Sequence, residues 1–242
     1  MVSKNQIKLI TSLKQKKFRE IHQLFIAEGE KVISELINAD FELENLFVTE
    51  SIFNEISEPK RAIISTVDLK KITCLTTPNN CLALFKIPVE KIQKETGLKV
   101  ALDDIRDPGN LGTIIRLCDW FGVSELICSA ATVDLYNPKV VQATMGSIAR
   151  VTVIYVDLVS YLSKTNLPIY GTFMDGKNVY SEKLFENAIL LLGNEGNGIS
   201  DTVKKLVTHK IAIPRFGDQQ KTESLNVASA TAIFLSEFKR GF

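Results

Sequence analysis

Histidine is scarce in this chain. His22 and His209 are far apart, and the four cysteines (Cys74, Cys81, Cys118 and Cys128) form no Cys-x-x-Cys pair. Those spacings do not suit a zinc site, so no metal is expected. Long hydrophobic runs are also missing. Ala188–Leu192 has the length of a buried strand, far short of a membrane span, so no membrane partner is expected. The first residues carry no apolar core of a secretory signal, which points to a cytoplasmic protein whose cysteines are buried and reduced. Charge of one sign is lacking as well: Lys+Arg 29 against Asp+Glu 28 leaves +1, which gives no global pointer to nucleic acid or membrane. There is no internal repeat and no low-complexity segment. What is present is a globular composition, 45% hydrophobic and 24% charged, which excludes disordered, collagenous and coiled-coil classes. At roughly 150 residues per domain, 242 residues make one or two domains.

The neutral total hides a local asymmetry. Lys4, Lys8, Lys14, Lys16, Lys17 and Arg19 fall in the first 19 residues, with no acid among them. Such a run is commonly a solvated helix face, and it can equally be a phosphate-contacting edge. Residues 97–242, by contrast, carry 15 basic and 15 acidic residues.

Periodicity divides the chain. Before the polar stretch Val89–Gly97, strands are expected at 24–27, 43–49, 62–65 and 82–87, and helices at 28–38 and 67–72. After it, strands are expected at 98–102, 125–128, 151–156, 169–173, 188–192 and 210–213. Helices are expected at 111–121, from Pro138 to Met145, from Asp201, and over 225–239. The reading is therefore α/β: domains at 1–92 and 97–242, the second with a mainly parallel sheet covered on both faces, because its strands are apolar throughout.

In open parallel sheets ligands bind beyond the carboxyl ends of the strands, and three strand exits carry unusual chemistry. In Asp103–Arg116 (DDIRDPGNLGTIIR), Pro108, Gly109 and Gly112 favour a tight turn, Asn110 can cap the following helix, and Arg116 sits among apolar neighbours, where a half-buried guanidinium wants an anion. In Leu191–Ser200 (LLGNEGNGIS), three glycines after a buried strand allow close approach to backbone, and Glu195 is the only ionisable group. The spacing matches neither the dinucleotide fingerprint nor a P-loop. In Ile211–Asn226 (IAIPRFGDQQKTESLN), Ser224 is a natural helix cap, and Asn226 would be a poor choice within the first turn.

Taken in this order, the three loops closely resemble the three motifs of the SpoU–TrmH superfamily of RNA 2′-O-ribose methyltransferases. Asp107-Pro108-Gly109-Asn110-Leu111-Gly112 with Arg116 resembles motif 1, Leu192–Gly198 motif 2, and Ile213-Pro214 with Glu223–Val227 motif 3. The N-terminal part is similar to the family's L30e-like substrate-binding domain, through Lys16–Arg19 and Phe25–Gly29. One departure is visible: five residues, Asp218 to Thr222, separate Gly217 from Glu223, more than the family usually has.

The resemblance implies a trefoil-knotted methyltransferase domain, a homodimer, and S-adenosyl-methionine as cofactor. It implies Leu192, Gly193, Gly198, Ile213 and Leu225 around the cofactor, and Arg116, Asn110, Glu195, Ser224 and Asn226 around the reaction. Arg116 would serve either as the base or as a charged group that contacts phosphate and stabilises the developing alkoxide. It implies an RNA partner, with rRNA favoured over tRNA, and turns the basic N-terminus toward phosphate contact through Lys14, Lys16, Lys17 and Arg19. A non-catalytic RNA-binding module and a nicotinamide-dependent reductase are the other classes open to this sequence.

Overall fold

The computed structural model describes residues 2–89, 96–217 and 224–240. The first elements are α1 (Lys4–Ser12), α2 (Lys16–His22), β1 (Leu24–Glu28), α3 (Glu30–Asn38), β2 (Leu43–Val48), β3 (Arg61–Ile63), α4 (Thr66–Ile72) and β4 (Cys81–Lys86). Then come β5 (Leu98–Asp103), α5 (Pro108–Trp120), β6 (Glu125–Ser129), α6 (Pro138–Thr144), β7 (Thr152–Val156) and α7 (Leu158–Lys164). The last are β8 (Ile169–Asn178), β9 (Ala188–Gly193), α8 (Asp201–Lys204), β10 (His209–Ala212) and α9 (Val227–Lys239). The strands fall close to the expected positions. The expected linker lies mostly at 90–95 and the longer motif 3 loop at 218–222, both outside the described residues.

The chain forms two units. One comprises Met1–Glu90 with Asp134–Ala149, the other Lys91–Val133 with Arg150–Phe242. Division at the polar stretch alone leaves 134–149 with the second domain, whereas its contacts group it with the first.

The first unit is built on a four-stranded sheet in the order β1-β4-β2-β3, antiparallel except for the parallel β2–β3 pair. Strands β1 and β4 are buried nearly throughout. Ile10 and Leu13 pack on Leu24, Ile26, Phe47, Leu69 and Leu84, so the basic N-terminus is also a core-forming element. A capping box between Ser3 and Gln6 starts α1. Phe25 stacks on Phe85 and lies 4.7 Å from Tyr136 between ring centroids.

The second unit carries a six-stranded sheet, order β10-β8-β9-β5-β6-β7, in which every pairing is parallel. All six residues of β5 and the first five of β9 are buried, as central strands covered on both faces must be. Leu158, Leu162, Ile199 and Val203 pack against Ala101, Ile127, Ile189 and Leu191. The register Leu102↔Leu192 and Asp103↔Gly193 ends β5 and β9 level, so their exit loops leave the sheet side by side.

Candidate functional site

The first two motif loops are laced together by side chains. Asp103, 7% exposed at the end of β5, accepts hydrogen bonds from the Ser200 N–H (2.9 Å) and hydroxyl (2.7 Å). Asp104 holds a left-handed φ of +60°, unusual for a residue other than glycine. Its N–H donates to Ser129 Oγ (2.9 Å), its carbonyl accepts from Asn194 Nδ2 (2.7 Å), and its carboxylate takes both Arg106 Nε and a terminal guanidinium nitrogen. Asn194 Oδ1 accepts from the N–H groups of Gly196 and Asn197, and Asn194 and Gly198 exchange two backbone hydrogen bonds, closing motif 2 into a tight hairpin.

Two helix caps differ from the sequence reading. Asp107, not Asn110, caps α5: its side chain accepts from the Asn110 N–H (2.8 Å), and Pro108 fills the first helical position. The helix therefore starts three residues earlier than its apolar spacing suggests, and Asn110 becomes its third residue, its side chain not used as the cap. Asn226, not Ser224, caps α9, its Oδ1 accepting from the N–H groups of Ala228 and Ser229. Ser224 stands exposed two residues before that cap. The cap gives Asn226 an ordinary reason to be there.

These caps bring the motifs together. With its oxygen occupied, the Asn226 amide donates from Nδ2 to Asn110 Oδ1 (2.9 Å), and Asn110 Nδ2 in turn donates to Glu195 Oε1 (2.6 Å). One residue from each motif thus joins a single hydrogen-bonded chain. Two helix N-termini meet at it, and their dipoles favour negative charge there.

Arg116 departs from the reading of a half-buried guanidinium: it is exposed. It lies six residues beyond Asn110, about 9 Å along α5 and a third of a turn around it, so it is not in line with the Asn226–Asn110–Glu195 chain. Trp120, one turn further on the same face, is 83% exposed.

Of the residues expected around a cofactor, Leu192 is buried, Ile213 half-buried, and Gly198 and Leu225 exposed. Gly193 is filled by protein: a Cβ there would meet the Gly198 carbonyl carbon and the Ile199 nitrogen at 2.2 Å. Gly198, at φ +67°, faces open space. Hence Gly193 lets the hairpin close, and the open approach is at Gly198.

The basic edge also needs correction. Arg19 is 2% exposed; its guanidinium bonds Asp134 Oδ2 through two nitrogens and the Leu13 carbonyl at 2.7 Å. It is an internal ion pair, with no donor left facing solvent for a phosphate. Lys14 donates to the Thr73 carbonyl (3.0 Å), Lys16 lies 3.8 Å from Glu20, and Lys14, Lys16 and Lys17 are exposed. Sequence reasoning missed Asp103, Asp104 and Ser200; paired acids at a strand exit were the available signal. Among the described residues no group of three or more His, Cys, Asp or Glu could hold a metal, and no helix is long and apolar enough to cross a membrane.

Comparison with known proteins agrees with this geometry. Residues 97–236 match the SpoU rRNA Methylase family, and residues 4–83 match the MRM3-like substrate binding domain. A Bacillus subtilis protein named 23S rRNA (guanosine(2553)-2′-O)-methyltransferase RlmP is 30% identical over 96% of each chain. A TrmH-family structure from Porphyromonas gingivalis is 38% identical and superposes over the whole of both chains with a TM-score of 0.91. An AdoMet-bound rRNA methyltransferase from Sinorhizobium meliloti is 26% identical, TM-score 0.88, covering 100% of this chain and 97% of that one. The chain belongs to the SpoU rRNA methylase family.

Proposed function

We propose that this protein transfers a methyl group from S-adenosyl-methionine to a ribose 2′-hydroxyl of rRNA. The observation that carries the reading is the Asn226–Asn110–Glu195 chain, which gathers all three motifs at the carboxyl ends of the parallel strands. The cofactor fits the residues present. Gly198 leaves an open approach beside the motif 2 hairpin, and Leu192, Ile213 and Leu225 supply backbone groups and an apolar wall. When bound, S-adenosyl-methionine supplies an activated methyl on a sulfonium centre.

The chain's task is then to position the ribose and to favour the oxyanion that develops as the hydroxyl attacks. Asn110 is held by partners on both sides, so its amide orientation is fixed before substrate arrives. Glu195 and Asn226 fix it, and Ser224 lies beside the α9 cap, open to substrate. Arg116 offers an exposed, forked guanidinium to the ribose-phosphate. Of the two roles open to it, the charged stabiliser suits that exposed position better than the base.

The first unit is assigned to RNA binding, with Lys14, Lys16 and Lys17 as phosphate contacts and Arg19 as their structural support. The protein acts as a homodimer in the cytoplasm. The α5 face that carries Arg116 and Trp120 is the surface for the second copy, and the C-terminal part carries the trefoil knot of its family. The Arg116→Ala variant tests the assignment: it should bind S-adenosyl-methionine normally and lose 2′-O-methylation of rRNA taken from cells lacking the gene. Near-wild-type transfer would sink it. A wild-type protein that binds no S-adenosyl-methionine would return it to the non-catalytic or reductase classes.

A further inference from the structure

Residues 97–242 sum to zero charge, yet one edge of the second unit's sheet is locally cationic. Between Asp201 and Gly217 stand Lys204, Lys205, Lys210 and Arg215, against the single acid Asp201. The edge strand there is β10, which among the described residues pairs only with β8. Its register with β8 breaks sharply: Lys210 opposes Gly171, and the next residue, Ile211, opposes Lys177. Residues 172–176 of β8 are therefore an excursion from the ladder. The excursion returns at Gly176, where a Cβ would lie 2.4 Å from the Ile211 carbonyl carbon, so only glycine permits the two strands to rejoin.

The excursion places Phe173 beneath two ammonium groups. Lys204 Nζ lies 5.4 Å and Lys210 Nζ 5.2 Å from the Phe173 ring centroid. Among the described residues, neither lysine forms an ion pair, and both are exposed. The nearby acids in sequence, Asp175 and Asp201, are exposed too. Two like charges drawn to one ring, without a carboxylate between them, create an uncompensated positive site. The ring orients both stems and lowers the entropy lost when an anion is gripped. The position matters as well. Lys204 follows four residues after Ser200, which is bonded to Asp103 in the motif 1 loop, and Lys210 precedes Ile213 of motif 3 by three residues, about 10 Å along a strand.

We propose that Lys204 and Lys210, held over Phe173, bind the phosphodiester backbone of the RNA strand that enters the site, and so form a second RNA contact on the methyltransferase unit itself. This rests on the RNA methyltransferase reading above. The competing explanation is that the lysines only blunt an exposed sheet edge against pairing with another chain.

The test is the Lys204→Gln/Lys210→Gln double variant of the full chain, which exchanges exposed charge without touching the core. Binding to unmethylated rRNA from cells lacking the gene is measured as a function of salt, beside S-adenosyl-methionine affinity and sedimentation. The expected result is RNA binding about tenfold weaker at low salt, with the salt slope reduced by about 1.4 for two lost contacts to a single strand. S-adenosyl-methionine affinity should not change. Phe173→Leu, which keeps an apolar side chain but removes the ring face, should give a smaller loss of the same kind. An unchanged affinity and slope would overturn the lysine site and leave the methyltransferase reading intact, as would aggregation of the double variant with its RNA slope unaltered. A wild-type protein that binds S-adenosyl-methionine but no RNA would overturn both.

Discussion

Gly193→Ala separates the two glycines of the motif 2 hairpin. An alanine Cβ would sit 2.2 Å from the Gly198 carbonyl carbon and Ile199 nitrogen, well inside the 3.0 Å that real Cβ contacts keep. The atoms in the way are backbone, so they cannot yield by a rotamer change. They are also pinned, by the two Asn194–Gly198 backbone hydrogen bonds and by Asp103 on Ser200. Forcing such a shift costs about 1–3 kcal/mol, with about 1 kcal/mol more for each hydrogen bond that breaks. Because the displaced backbone belongs to the proposed cofactor site, at least about 1.4 kcal/mol of this should appear as a tenfold loss of S-adenosyl-methionine affinity. Gly198→Ala is the control. Its φ of +67° makes alanine cost about 1–2 kcal/mol, but it meets open space and displaces nothing. Titration calorimetry with S-adenosyl-methionine and a denaturant melt on both variants give the comparison. Gly193→Ala should lose more stability than Gly198→Ala, whose methyl displaces no protein atom, and both should lose affinity, Gly198→Ala because its methyl narrows the open approach to the cofactor. Wild-type affinity and wild-type stability in Gly193→Ala would refute the argument.

Asp134→Ala should destabilise the protein by about 3–5 kcal/mol in denaturant melts, because it strands the buried Arg19 charge; a loss below about 1 kcal/mol would show that water reaches Arg19. Asn110→Ala should leave folding intact and slow methyl transfer by about two to three orders of magnitude, the usual scale for a lost positioning or oxyanion contact, as measured by single-turnover transfer to rRNA. Glu28 is buried, and desolvation raises its pKa above the ordinary 4.5 despite hydrogen bonds from Thr73 and Cys74. The folded state therefore binds the proton more tightly than the unfolded one, and this stabilisation, full below pH 4.5, is lost as pH rises through the raised value. Glu28→Gln should flatten that part of the stability–pH curve, and an unchanged curve would refute it. Burial pushes the Cys74 thiol up to about 11 and Cys81 to about 12, so neither should alkylate rapidly in the native protein at neutral pH, as mass spectrometry after brief iodoacetamide treatment would show.

The parallel sheet was legible because strands covered on both faces are largely apolar, as β9 is throughout and β5 is apart from Lys99 and Asp103. The first two motif loops were legible for the same reason, since each follows such a strand, whereas motif 3 follows the edge strand β10, which exposes Lys210. Helix α7 escaped notice: seven residues with Ser160, Ser163 and Lys164 among them give too little periodicity. The caps were misassigned because several capping residues cluster at each start, and only the backbone break decides which one acts. Pro108 was the signal for Asp107, whereas Ser224 and Asn226 differ by nothing visible in sequence. Arg19 was grouped with Lys16 and Lys17 on charge alone. Its burial is set by Asp134, 115 residues away, and nothing local reports that.

The segment Asp134–Ala149 has a consequence for how the protein is made. It completes the first unit, through Tyr136 against Phe25 and Asp134 against Arg19, yet it is translated after β5, α5 and β6 of the second. A nascent chain that has just passed its N-terminal sheet still holds an unpaired buried arginine and an uncovered β1. The first unit cannot finish folding until residue 149 has left the ribosome, when β5 and β6 of the second sheet are already synthesised. The two units are thus joined in time as well as in sequence, and cutting the gene at the polar stretch would leave the N-terminal fragment without 134–149 and the C-terminal fragment carrying a segment that belongs to the other unit.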